Sequence, residues 1–210
     1  TCTEDGLSEG THCSACGEVL VPQQVISAPG HAAAACKATK NGKIDLEEAK
    51  NVINNKTFLV SCMLVNNETG AVYDIKALRK LRDTLAPKAY FHVDAVQGFA
   101  KLDYNFSSLD ADLITLSAHK IHAPKGCGAL YVRKGVRIVP RLIGGGQESS
   151  LRSGTENLPA IAAFGHACQT FSQNKENILK TYDLLNLSMR EKLSKHCPDA
   201  MINSGTENFA

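Results

Sequence analysis

Five polar residues follow two apolar runs in the middle of the chain, and their side chains could together hold a reactive cofactor. Asp94 and Gln97 come after the first run, and Ser117, His119 and Lys120 come after the second. Two buried strands of an open α/β sheet would end at the same edge, which is where such sheets bind ligands. An amine, a carboxylate, an amide, a hydroxyl and an imidazole suit a cofactor with an aldehyde, a basic ring nitrogen and a phosphate. Pyridoxal phosphate is such a cofactor.

A third apolar run, Thr57 to Val65, ends in Asn66, Asn67, Glu68, Thr69 and Gly70. Its continuous apolar and β-branched residues predict another buried strand. We expect its polar end to lie at the same sheet edge as the other two.

The surrounding elements alternate between strands and helices. Asp45 and Asp74 are predicted to cap helices, and the second helix stops before Pro87. Residues 126–132 predict a strand that follows Lys120 too closely for a helical crossover, so it should be antiparallel to its neighbour. Two amphipathic helices are predicted over 159–171 and 177–196. The pattern indicates an α/β fold with a mostly parallel sheet flanked by helices.

Bulk composition is that of a globular protein. The chain has 210 residues, 43% hydrophobic and 21% charged, with a formal net charge of +2. This balance gives no reason to propose a nucleic acid or a membrane as partner. We find neither a signal peptide nor a run of transmembrane length, which favours a cytoplasmic location.

The first 31 residues differ from the rest. They contain no Lys, Arg or aromatic residue and carry four acids, whereas the remaining residues hold all 23 bases and 17 of the 21 acids. This shift predicts a leader over 1–31, a junction over 32–40 and a partial pyridoxal phosphate-dependent transferase domain over 41–210. The acidic leader should contribute nothing to the cofactor site.

The leader contains a possible zinc site, whose candidate ligands are Cys2, Cys13, Cys16 and His31. A CxxC pair such as Cys13 and Cys16 is half of a common zinc motif. An unfolded leader with incidental cysteines is the alternative. The segment also resembles a short Cys/His repeat of bacterial surface proteins that ends in Gly-His.

Four segments, MLVNNETG, HVDAVQG, SAHKIHAPKGCGALYVRKG and GGGQESSLRSGTEN, together resemble the cysteine desulfurases and related selenocysteine lyases. These are class V aminotransferase-fold enzymes that use pyridoxal phosphate. The resemblance covers about residues 39–210 and implies part of a fold type I large domain. It also implies a homodimer and the conversion of L-cysteine to L-alanine, with sulfur held on the enzyme and passed to an acceptor protein.

The resemblance assigns roles to the polar residues. It implies that Lys120 forms the Schiff base, that Asp94 pairs with the ring nitrogen, and that Asn67 and Gln97 lie beside the phenolic oxygen. Ser117 and His119 would bind the phosphate, and Thr155 would reach the phosphate of the other subunit. His92 and His122 are expected to be structural.

Other interpretations stay open. Asp94 and Lys120 could form a structural ion pair, and Asn67 could be a turn residue. A selenocysteine lyase or an aminotransferase would use the same fold, and a non-catalytic metal-binding scaffold protein would need no cofactor.

Some family features are not found in the sequence. The phosphate-binding turn and ring-stacking histidine expected before MLVNNETG have no match, and the sulfur-accepting cysteine and carboxylate-binding arginine would lie beyond residue 210. Cys168 and Cys197 fall in predicted helices and are poor substitutes, because a nucleophilic cysteine needs exposure and a lowered pKa. We therefore expect a truncated enzyme of low activity.

Overall fold

The computed structural model describes residues 34–35, 39 and 42–202, together with four short strands nearer the N-terminus. The chain divides into two compact units, Thr1–Ala35 and Cys36–Ala210. In the first unit, β1 (Gly6–Leu7) pairs antiparallel with β4 (Val25–Ile26), and β2 (Thr11–His12) pairs antiparallel with β3 (Val19–Val21).

The second unit alternates strands and helices. Its elements in chain order are α1 (Leu46–Val52), β5 (Leu59–Met63), α2 (Ile75–Leu85), β6 (Tyr90–Asp94), α3 (Phe106–Leu109), β7 (Leu113–Ser117), β8 (Gly128–Val132) and α4 (Leu158–His196). A 3-10 turn over Ala118–Ile121 follows β7 directly. Within the described residues, no helix is both long and apolar enough to cross a bilayer.

The four strands β5–β6–β7–β8 form one sheet in sequence order. β5, β6 and β7 are parallel to one another, and β8 is antiparallel to β7. Both the mostly parallel sheet and the reversed last strand confirm the predictions. The reversal has the expected cause, since only ten residues separate the end of β7 from the start of β8 and none forms a crossover helix.

One face of the sheet carries the core. Val60, Phe91, Val93 and Ile114 are buried there, in a cluster that also includes residues of α1 and α2. The predicted caps of those helices are present: Asp45 accepts hydrogen bonds from the N–H groups of residues 47 and 48, and Asp74 accepts one from residue 77. Period-two burial along β5 and β6 therefore sets which side chains face the core and which face away.

The prediction of two helices after residue 158 was wrong, because α4 is one continuous helix of 39 residues. The polar stretch 172–176 was taken for a break, but it contains neither glycine nor proline and so does not interrupt the backbone hydrogen bonds. Within it, Lys175 forms an ion pair with Asp103.

A network of charges lies at the edge where the parallel strands begin. It joins three arginines to three aspartates: Arg79, Arg82, Arg133, Asp83, Asp110 and Asp112. Arg82 is only 5% exposed, and its guanidinium lies 5.9 Å from the ring centroid of Phe91. Charges this deeply buried require partners, so the network holds α2 to the start of β6 and β7.

Gly128 is required where β8 meets the end of β7. A Cβ atom at this position would lie 2.6 Å from the carbonyl oxygen of Leu116. We expect Gly128→Ala to lower the free energy of unfolding by about 1–3 kcal/mol, because the backbone of β7 would have to shift. Urea denaturation measures the change.

Gly165 of α4 provides the matched control. A Cβ atom there meets nothing within 4 Å. Gly165→Ala should instead stabilise the protein by about 0.5–1 kcal/mol, as alanine does in a helix interior. Equal unfolding midpoints for the two variants would contradict the steric explanation for Gly128.

Candidate active site

The carboxyl ends of β5, β6 and β7 lie level at one edge of the sheet. Met63 is opposite Asp94, and Asp94 is opposite Thr115. Two backbone hydrogen bonds extend the pairing beyond the strands, from Leu64 N–H to the Asp94 carbonyl at 2.8 Å and from Ala95 N–H to the Thr115 carbonyl at 3.0 Å. The polar residues that follow the three strands are thus brought to one edge.

Asp94 is the last residue of β6 and is half-buried. Its Oδ1 accepts a hydrogen bond from the N–H of Val96 at 2.9 Å. This local turn fixes the carboxylate at the tip of the strand.

Asn67 and Gln97 line the same cavity of about 250 Å³. The cavity wall is the turn 66–70, in which the side chain of Asn66 accepts hydrogen bonds from the N–H groups of Glu68 and Thr69, each at 2.9 Å. Asn67 is exposed, and its Nδ2 donates to Glu68 Oε1 at 2.7 Å. The structure thus brings together an amide from the end of β5 and an amide from the segment after β6.

Ser117, His119 and Lys120 lie at the end of β7 and in the 3-10 turn that follows it. Ser117 Oγ and His119 Nδ1 are hydrogen-bonded at 2.9 Å, and Lys120 is half-buried. The N–H of Ala118 donates to the carbonyl of Cys127 at 3.0 Å, which ties the turn to the start of β8. A hydroxyl, an imidazole and an amine are therefore held on one short connection.

Thr155 lies on the connection between β8 and α4, and its side chain is exposed. Its predicted contact is with the other subunit of a dimer, so it stays a prediction. The proposed zinc ligands Cys2, Cys13, Cys16 and His31 lie outside the described residues. In the part that the structure describes, no group of three His, Cys, Asp or Glu side chains could hold a metal.

A model of the aminotransferase class-V family matches residues 15–207. The chain belongs to this family. The match begins inside the predicted leader, so part of the segment 1–31 aligns with the family model. Membership of the class-V aminotransferases implies pyridoxal phosphate as cofactor.

The chain is similar in sequence and in structure to several known proteins. A cysteine desulfurase of Nostoc sp. (strain PCC 7120) is 40% identical over 174 residues, which are 83% of this chain and 43% of the relative. A solved NifS-like protein has a TM-score of 0.78 at 34% identity, and the match covers 83% of this chain and 47% of the NifS-like chain. A solved structure of SspA in complex with cysteine has a TM-score of 0.59 at 38% identity, and the match covers 63% of this chain and 38% of SspA. The chain thus spans less than half the length of each of these three proteins.

The residues at the sheet edge fit the cofactor of the class-V family. The set contains an amine to bind the aldehyde, a carboxylate fixed at a strand tip, two amides in one cavity, and a hydrogen-bonded hydroxyl and imidazole. Each group suits a different part of pyridoxal phosphate: the amine suits the aldehyde, the carboxylate suits the ring nitrogen, the amides suit the phenolic oxygen, and the hydroxyl and imidazole suit the phosphate.

His92 lies two residues before Asp94 on the same strand. Its Nδ1 is hydrogen-bonded to Ser61 Oγ at 2.7 Å and its Nε2 to Thr115 Oγ1 at 3.2 Å. Burial lowers the pKa of His92, and the Asp94 carboxylate opposes that shift. Its two bonds join β5, β6 and β7 beneath the site, which is a structural role.

The described cysteines are Cys62, Cys127, Cys168 and Cys197, of which Cys197, the residue after α4, is exposed. Cys62 is buried, and burial raises the pKa of the Cys168 thiol in α4. A raised pKa reduces the thiolate fraction, which is the reactive form. This is the physical reason that Cys168 is a poor sulfur acceptor.

Sequence reasoning missed Lys101, which lines the cavity beside Asn67 and Gln97. It lies four residues after Gln97, and the backbone bonds from Phe99 to Ala95 and from Leu102 to Gly98 form a helical turn there. The i, i+4 spacing alone was a weak signal, because Ala100 between the two residues is left-handed and the backbone there is not a regular helix.

Proposed function

We propose that the chain supplies the cofactor-binding large domain of a cysteine desulfurase that acts on L-cysteine. The observation that carries this proposal is the convergence of polar residues after three parallel strands, with Lys120 in the turn after β7 and two amides in one cavity. The names of similar proteins support the choice of cysteine desulfurase within the class-V family. The cysteine complex of the solved relative SspA supports cysteine as the ligand class.

Each residue has a defined task in this proposal. Ser117 and His119 bind the phosphate, and Asp94 holds a proton on the ring nitrogen. Asn67 and Gln97 hydrogen-bond on the side of the phenolic oxygen.

When bound, pyridoxal phosphate withdraws electrons from the α-carbon of the substrate amino acid. Lys120 would hold the cofactor through its amine and would take the α-proton of the substrate as general base. The half-buried position of Lys120 and its short tether between β7 and β8 restrict where this amine can move.

The rest of the reaction requires a sulfur acceptor. The C–S bond of cysteine would break when a cysteine thiolate attacks the sulfur. The bonding pair would stay on the β-carbon, which takes a proton to give alanine, and the attacking cysteine would become a persulfide. We assign this thiolate to none of the described cysteines. A homodimer, in which Thr155 reaches the phosphate of the other subunit, and transfer of the sulfur to an acceptor protein are further parts of the proposal.

The test is to locate the covalent adduct. Purified chain mixed with pyridoxal phosphate and reduced with borohydride should carry the label on Lys120, mapped by peptide mass spectrometry. Lys120→Ala should abolish at least about nine-tenths of the labelling, because a single lysine forms the adduct. Lys125→Ala, which removes an exposed lysine from the same connection, is the matched control and should label normally. A label on Lys101, Lys125 or Lys134 in the unaltered chain would refute the assignment.

A further inference from the structure

Lys101 lies within the proposed cofactor site although the family motifs do not assign it. It is half-buried and lines the cavity that contains Asn67 and Gln97. The preceding residue, Ala100, has a φ of 64°, in the left-handed region that residues other than glycine rarely adopt.

The ammonium of Lys101 contacts the side-chain oxygen of Gln97. Lys101 Nζ donates to Gln97 Oε1 at 3.5 Å, a long contact. A glutamine amide has an acceptor oxygen and a donor nitrogen, and it can be turned either way. An ammonium group can only donate. The contact therefore favours the orientation with the oxygen toward Lys101, which leaves the two N–H donors of Gln97 free to face another group.

The electrostatic surroundings agree with this placement. Burial lowers the pKa of Lys101, and the positive charge of Lys120 lowers it further. Glu68 lines the same cavity and carries the opposite charge.

We propose that Lys101 is a positioning residue, which turns the Gln97 amide so that its N–H groups face an anionic oxygen of the bound ligand. This inference rests on the proposed function, under which that oxygen is the phenolic oxygen of pyridoxal phosphate. Lys101 acts through Gln97 and has no chemical step of its own.

The test is a double-mutant cycle on cofactor affinity, measured by absorbance titration of the full chain with pyridoxal phosphate. Lys101→Met should weaken binding about fivefold, since a misoriented amide forfeits one hydrogen bond to the ligand. Lys101→Arg should restore affinity to within about twofold, because arginine is also only a donor. In a Gln97→Ala background, Lys101→Met should have no further effect.

Two results would overturn the proposal. One is an equal loss of affinity from Lys101→Met with and without Gln97, which would indicate a direct charge effect. The other is unchanged affinity in Lys101→Met when Gln97→Ala alone weakens binding.

A second readout needs no cofactor and separates this inference from the proposed function. The NMR order parameter of the Gln97 side-chain nitrogen should fall in Lys101→Met and recover in Lys101→Arg, because the restraint on the amide is lost and regained. An order parameter that is the same in all three proteins would refute positioning by Lys101, even if the chain failed to form an adduct at Lys120. A fall in the order parameter together with no adduct would uphold the positioning role and refute the proposed function.

Discussion

Replacement of Asp112 by alanine is expected to lower the free energy of unfolding by about 3 kcal/mol, because it breaks a buried ion pair and also removes a hydrogen bond from the backbone. Asp112 Oδ2 lies 3.3 Å from Arg82 Nη2 and accepts a hydrogen bond from the N–H of Phe91 at 2.8 Å. Arg82 keeps the Asp83 carboxylate, at 3.1 Å, and a long contact to the Pro87 carbonyl, at 3.5 Å. That remaining pair places the expected cost at the low end for a buried ion pair. Urea denaturation, followed by circular dichroism, measures the loss.

Two further variants separate the contributions at Asp112. Asp112→Asn retains an oxygen that can accept from Phe91, so it should cost less than the alanine variant. Asp103→Ala removes an ion pair with Lys175 whose aspartate side chain is 96% exposed, and it should have little effect. Equal urea midpoints for Asp112→Ala and Asp103→Ala would show that the buried ion pair of Asp112 stabilises the fold no more than the exposed one of Asp103.

Replacement of Asp94 by asparagine is expected to slow chemistry at the α-carbon by about two orders of magnitude, the size of effect seen when one preorganised electrostatic partner is lost. Asparagine retains an oxygen that can accept from Val96 N–H, so the local turn should persist. The variant loses the negative charge that would hold a proton on the ring nitrogen. The measurement is exchange of the α-proton of L-alanine with D₂O, followed by NMR in the presence of pyridoxal phosphate.

The Asp94 prediction distinguishes chemistry from binding. Cofactor affinity should change much less than the exchange rate, because the phosphate and aldehyde contacts remain. Asp183→Asn, at an exposed position of α4, controls for the loss of one negative charge. An exchange rate in Asp94→Asn equal to that of the control would exclude Asp94 as the partner of the ring nitrogen.

The sheet, and the edge at which the polar ends of its parallel strands meet, could be predicted because they depend on local patterns. Runs of apolar residues that end in polar ones specify buried strands and their tips, and the short distance from Lys120 to β8 specified an antiparallel strand. Asp45 and Asp74 predicted where α1 and α2 begin, because a helix cap depends on residues that are close together in sequence.

The features that were missed depend on contacts between distant residues, on unusual backbone, or on an element too short to leave a pattern. The continuity of α4 through residue 175 accompanies an ion pair with Asp103, 72 residues away. Lys101 enters the cavity after a left-handed Ala100, which no residue preference predicts. The short helix α3, with its Asn105 and Ser108 capping box, is only four residues long and leaves little periodicity to detect.

The buried charges and the candidate site lie at opposite ends of the same strands. Asp112 precedes β7 and Lys120 follows it, and the five residues of β7 span about 16 Å. Substitutions that far apart and without shared partners usually have additive effects. The chain should therefore tolerate redesign of its strand-start edge, for example to raise its melting temperature, without a change in what the strand-end edge binds. In evolutionary terms, residues at the strand-start edge can change and alter stability while selection acts separately on the residues at the strand-end edge.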